Sequence, residues 1–151
     1  MLNRREFVRQ AIGVGAAIAA APRIARAIAP ITMTVYKSPT CGCCKEWIKH
    51  VEANGFACTV IEREDLAPIK RQLGVPRNME SCHTAVIGKY LIEGHVPADL
   101  VKDVLAKRPD ILGLAVPGMV VGTPGMETGP AQPYKVMAFT KDGSSRVYAS
   151  R

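Results

Sequence analysis

Ile31-Thr32-Met33-Thr34-Val35-Tyr36-Lys37-Ser38-Pro39-Thr40-Cys41-Gly42-Cys43-Cys44-Lys45-Glu46-Trp47 is the stretch on which the reading of this chain turns. Thr32 to Tyr36 alternates in the two-residue period of a strand, and Lys37 to Thr40 reads as a loop. From Lys45 to Asn54 the period changes to that of a helix, with Trp47, Ile48 and Val51 on one face and Gly55 placed to stop it. Three of the five cysteines therefore fall within four residues, where a strand passes into a helix. Helix N-termini favour anions, so thiolates form more easily there. That helps a redox dithiol and a thiolate metal ligand equally.

Downstream, the same logic gives a short strand at Cys58–Ile61 and a helix from Leu66 to Leu73, opened by Asp65 and closed by Gly74. Thr84–Ile87 and Tyr90–Glu93 are strands joined by Gly88-Lys89, a pair suited to a tight hairpin turn. A third helix spans Pro97 to Lys107, with Leu100, Val101, Val104 and Leu105 as its apolar stripe. The order β-α-β-α-β-β-α predicts an α/β fold of thioredoxin-like type. Leu114 to Pro133, dense in Gly and Pro, reads as an ordered loop carrying Pro117-Gly118-Met119 and Pro124-Gly125-Met126. Tyr134–Thr140 and Ser145–Ala149 flank Asp142-Gly143 as a C-terminal hairpin.

The first residues read as an address and not as fold. Asn3-Arg4-Arg5-Glu6-Phe7-Val8-Arg9 is a basic head with a twin arginine, Ala11 to Ala21 is apolar, and Ala25-Arg26-Ala27 offers an A-x-A cleavage site. This order predicts a twin-arginine export signal, residues 1–27, cleaved after Ala27 to leave a single domain, 28–151, in the periplasm. A short anchoring helix is the alternative; the apolar run is about half of the roughly 20 residues a bilayer requires, so no stable membrane insertion is expected after cleavage. The segment holds five arginines against one glutamate, so +4 of the chain's formal +7 leaves with it and +3 remains. The remaining basic residues are scattered, which argues against nucleic acid as a partner.

Export sharpens the cysteine question. Unprotected thiols in an oxidising compartment end as disulfides, and five cysteines cannot all pair internally. Cys41 and Cys44 have the spacing of a redox pair. Cys43 is then surplus, and Cys82-His83, just before the third strand, adds a fourth sulfur and an imidazole. In the expected fold that loop faces the Cys41–Cys44 loop. Four sulfurs so placed suit a soft metal: Cu(I), Zn(II) or an iron–sulfur cluster. C-x-C-C is tight for one tetrahedral ion and fits sulfurs bridging several Cu(I) ions. Met119 and Met126 are candidate soft ligands or a lid, with core gap-filling as the alternative. Cys58 reads as a small buried apolar residue, Trp47 as core, and His50 and His95 as surface or hydrogen-bonded histidines.

Cys41-Gly42-Cys43-Cys44-Lys45-Glu46-Trp47, Ser81-Cys82-His83-Thr84, Glu93-Gly94-His95-Val96-Pro97 and the two Pro-Gly-Met segments together resemble the CopG-type periplasmic copper-resistance proteins, from Thr32 to the C-terminus. The resemblance implies a thioredoxin-like variant holding a cysteine-bridged, multinuclear copper cluster on Cys41, Cys43, Cys44 and Cys82, with His83, Met119 and Met126 as further donors. It implies a role in copper tolerance, by sequestration or by Cu(I)/Cu(II) interconversion, among other periplasmic copper-handling proteins. This is a binding role more than that of an ordinary enzyme. The competing expectation is a periplasmic thiol–disulfide oxidoreductase using Cys41 and Cys44; a zinc-stabilised module is a third.

Overall fold

β1 (Ile31–Lys37) lies near one end of a seven-stranded sheet and is the strand from which the rest is placed. The computed structural model describes residues 29–151; the expected export segment and its expected cleavage point lie outside the described residues. β1 runs parallel to β2 (Phe56–Glu62), Ile31 opposite Phe56, and the chain crosses between them through α1 (Gly42–Ala53). On its other side β1 pairs antiparallel with β3 (His83–Ile87), and Lys37 stands opposite His83. β3 and β4 (Tyr90–Glu93) form the expected hairpin, Ile87 opposite Tyr90. α2 (Ala67–Leu73) connects β2 to a single 3-10 turn at Arg77–Met79, and α3 (Ala98–Lys107) follows β4.

The sheet continues further than the sequence suggested. Gly113–Ala115, which overlaps the start of the loop expected from Leu114, is a three-residue strand, β5, parallel to β4. β6 (Lys135–Phe139) and β7 (Ser145–Ser150) then extend the same sheet, in the order β2-β1-β3-β4-β5-β6-β7. Three residues before a proline carry no readable period, so β5 is set by its neighbours. A Cβ on Gly113 would lie 2.2 Å from the Leu91 carbonyl oxygen, which is why glycine occupies that position.

Two apolar layers cover the sheet. On one face Trp47, Ile48 and Val51 of α1 and Leu100, Val101 and Val104 of α3 pack with Val35, Ala85, Ile92, Leu114 and Val136. On the other, Val75 and Met79 pack with Leu91, Ala115 and Phe139. Leu91/Ile92 and Leu114/Ala115 thus divide between the layers, as the strand period requires. Leu105 is half-buried, so the stripe of α3 is one residue narrower than expected, and Cys58 is half-buried where full burial was expected. Among the described residues no helix is long and apolar enough to cross a membrane.

A buried ion pair lies inside this frame. Lys70 of α2, 4 % exposed, ion-pairs with Glu93, which is fully buried. Lys70 Nζ also donates to Thr84 Oγ1 (2.9 Å), and Thr84 Oγ1 donates to Glu93 Oε2 (2.6 Å). Glu93 Oε1 accepts the Ser81 backbone N–H at 2.7 Å. The buried carboxylate is therefore satisfied, and it fixes the residue before Cys82. Lys70→Ala should cost about 3–5 kcal/mol, because it leaves that carboxylate buried without its cation. A Lys70→Met/Glu93→Leu double variant should recover most of the loss in urea unfolding.

Candidate metal centre

α1 begins at Gly42, three residues earlier than expected, so Cys43 and Cys44 lie in its first turn and Cys41 is the N-cap residue. No side chain caps this end and its first turn contains no acid. The first amides of α1 are thus left without side-chain partners at this end. Cys41 and Cys44 are joined in a disulfide, with Cα atoms 5.4 Å apart; among the described residues Cys43, Cys58 and Cys82 are free thiols.

The pairing of β1 with β3 brings Cys82 to this helix end. Cys43 Sγ lies 3.5 Å from Cys41 Sγ and 3.9 Å from Cys82 Sγ, and Cys44 Sγ lies 3.8 Å from the Cys82 carbonyl oxygen. The sulfurs of Cys41, Cys43, Cys44 and Cys82 all fall within 4.8 Å of one another. The four predicted cysteines are thus in one place. Cys58, on β2, is outside the group, and burial pushes its thiol up to about 11.

A second group shares Cys82. Its sulfur is 3.4 Å from His83 Nδ1 and 3.0 Å from His95 Nε2, and these three ligand atoms also lie within 4.8 Å of one another. His95 was expected only as a surface or hydrogen-bonded residue; it is hydrogen-bonded, fully buried and central. Its Nδ1 is 2.7 Å from the Pro124 carbonyl oxygen. A carbonyl only accepts, so Nδ1 carries the proton and Nε2 presents its lone pair to Cys82. Metal-ligating histidines are held in this way, one nitrogen donating to a backbone carbonyl and the other left free. His83, also fully buried, has an Nε2 without a hydrogen-bond partner. Its ring stacks at 4.4 Å from Trp47, whose Nε1 donates to Val96 O at 2.9 Å.

Burial sets the protonation states. It holds His83 well below the ordinary imidazole range, with the charges of His95 and Lys70 acting in the same direction. It also lowers His95, against the opposing pull of the Pro124 carbonyl and Glu127. Both rings are consequently neutral, the form that binds metal. Burial, and then Cys43, pushes the Cys82 thiol up to about 12. A bound cation reverses that order of costs, because a coordinating thiol is deprotonated outright.

The Gly/Pro/Met loop closes one side. Ser81 Oγ donates to the Gly118 carbonyl, and Pro124 O accepts the His95 Nδ1–H, so each Pro-Gly-Met segment anchors a backbone carbonyl at the site. Met119 is 59 % exposed, whereas Met126 is half-buried beside Gly125. Gly125, with φ +84°, sits so close to α1 that a Cβ would come 2.6 Å from Trp47 N and 2.8 Å from Cys43 O. His50, placed away from the cluster on α1, accepts the Ala98 N–H at 3.1 Å and so ties α1 to the start of α3. A groove of about 550 Å³ between Val116, Val120, Tyr134 and Met137 contains none of the cysteines.

Fold and site together define a mixed α/β protein with a cysteine–histidine cluster able to hold a metal. Residues 79–126, which include Cys82, His83, His95, Met119 and Met126, match the family model described as "Protein of unknown function, DUF411". A search of curated proteins gives no match. Two solved structures, forms 1 and 2 of "Copper resistance protein copG", are each 47% identical to this chain with a TM-score of 0.76; the match covers 81% of this chain and 98% of theirs. The chain belongs to the CopG copper-resistance family.

Gly125→Ala is expected to lift the loop from α1. Stability should fall by more than about 1 kcal/mol, since the left-handed backbone and the Cys43 carbonyl both oppose a Cβ. A lowered thermal midpoint with increased Trp47 emission shift is the measurement.

Proposed function

We propose that this is an exported copper-binding protein of copper resistance, which takes Cu(I) as cargo in a cysteine-bridged, multinuclear site on Cys41, Cys43, Cys44 and Cys82. The observation that carries this reading is the convergence of four sulfurs within 4.8 Å of one another. Thiolates select soft ions, and four sulfurs this close together can be shared between neighbouring ions. The solved relatives named as copper resistance proteins support copper over other soft metals. His83 supplies a nitrogen donor, and Met119 and Met126 serve as soft donors or as a lid. Sequestration or Cu(I)/Cu(II) interconversion follows from such a site, with other periplasmic copper-handling proteins as exchange partners. Residues 1–27 act as the cleaved twin-arginine signal and 28–151 as the mature periplasmic domain. The order β1-α1-β2-α2-β3-β4-α3, with strands β2-β1-β3-β4 adjacent, supports a thioredoxin-like variant extended by β5 to β7.

The Cys41–Cys44 disulfide favours a second reading, a thiol–disulfide oxidoreductase. The two separate cleanly. Reduced under anaerobic conditions and titrated with Cu(I), the protein should bind more than one copper tightly per chain, and Cys43→Ser should lower that number. Binding of a single zinc and no copper would sink the copper reading. Insulin reduction that survives Cys43→Ser and Cys82→Ser would establish the oxidoreductase in its place.

A further inference from the structure

The Cys41–Cys44 bond divides the donors into two sets. When it is closed, those two sulfurs are withdrawn as thiolates, yet Cys43, Cys82, His83 and His95 keep their donor atoms. Cys82 links the halves, 3.9 Å from the Cys43 sulfur and 3.0 Å from His95 Nε2. Imidazole accepts Cu(II) as well as Cu(I), whereas thiolate selects Cu(I). The nitrogen side, where His95 Nε2 presents its lone pair and the His83 ring lies beside Cys82, thus accepts copper in either oxidation state. The sulfur side suits the reduced one.

We propose that Cys41 and Cys44 are the protein's own electron source for reducing Cu(II), and that Cys43, Cys82, His83 and His95 retain the Cu(I) formed. The inference rests on the copper reading above and adds to it a direction and a division of labour. Two Cu(II) ions each gain one electron; the Cys41 and Cys44 thiols together lose two electrons and two protons, and one sulfur–sulfur bond forms between them. Cu(II) is the oxidant, so a single turnover needs no other. The pair is set by geometry: Cys41 and Cys44 lie one helical turn apart and already meet in a bond, whereas Cys43 and Cys82 remain at 3.9 Å with Cys82 engaged by His95.

The test uses fully reduced, anaerobic protein carrying Cys58→Ser, which removes the thiol outside the cluster. Mixed with excess copper(II) sulfate, each chain should yield about two Cu(I), read with a Cu(I)-specific chromophoric chelator, and lose about two thiols. Peptide mapping should find the new disulfide at Cys41–Cys44. Cys44→Ser should cut the Cu(I) yield at least fivefold. His95→Gln should cut the fraction of the Cu(I) formed that stays with the protein on desalting about twofold or more, and full retention in that variant overturns the assignment of His95. A disulfide at Cys43–Cys82, or loss of all four thiols, overturns the inference. A parallel arm with Cu(I) added directly separates the two readings. Cu(I) binding without thiol loss, together with no reduction of Cu(II), overturns this inference and leaves the copper-binding function standing. No Cu(I) binding overturns both.

Discussion

The antiparallel pairing of β1 with β3 is the constraint on which the site depends. It sets Lys37 opposite His83, so the residue before β3 and the loop after β1 leave the sheet at the same edge. Cys82 and the Cys41–Cys44 turn are 38 residues apart in the chain and meet only through this register. The buried Lys70–Glu93 pair then holds the approach to Cys82 through the Ser81 amide. A one-residue slip of β3 would turn every side chain to the opposite face, exchanging His83 for its neighbours and dispersing the donors.

Much of this was legible in the sequence, for identifiable reasons. The first four strands, the three helices and the C-terminal hairpin each show a clear period or turn signal, and the four cysteines were placed together by the expected fold. β5 was not legible, because a three-residue strand is shorter than any period that could reveal it. His95 was legible in principle. The Gly88-Lys89 turn pairs Ile87 with Tyr90, and the ladder runs to Thr84 opposite Glu93. Extending that register two residues puts Cys82 opposite His95. What concealed it was the ending of the strand pattern at Glu93, and a proline carbonyl partner supplied from a loop 29 residues away. The Lys70–Glu93 pair escaped because a lysine on a helix and a glutamate at a strand end read as solvent-facing until tertiary packing encloses them.

Neither the helix end nor the hairpin would be enough alone. The start of α1 supplies sulfur, while the hairpin supplies nitrogen kept neutral by burial. The two donor clusters consist of sulfur and nitrogen, and the nearby Glu93 is committed to Lys70, Thr84 and Ser81. The chemistry that remains is soft, and one atom, the Cys82 sulfur, takes part in both halves. The Gly/Pro/Met loop contributes mainly through backbone carbonyls at Gly118 and Pro124, so its glycines matter for how closely it approaches as well as for how it turns.

The stacking of His83 against Trp47 has a consequence of another kind. Trp47 is the single tryptophan of the chain, fully buried, with its indole 4.4 Å from an imidazole of the cluster. The molecule therefore contains a built-in optical gauge. Emission from one known position reports, without any attached dye, on the occupancy and electronic state of the atoms beside it.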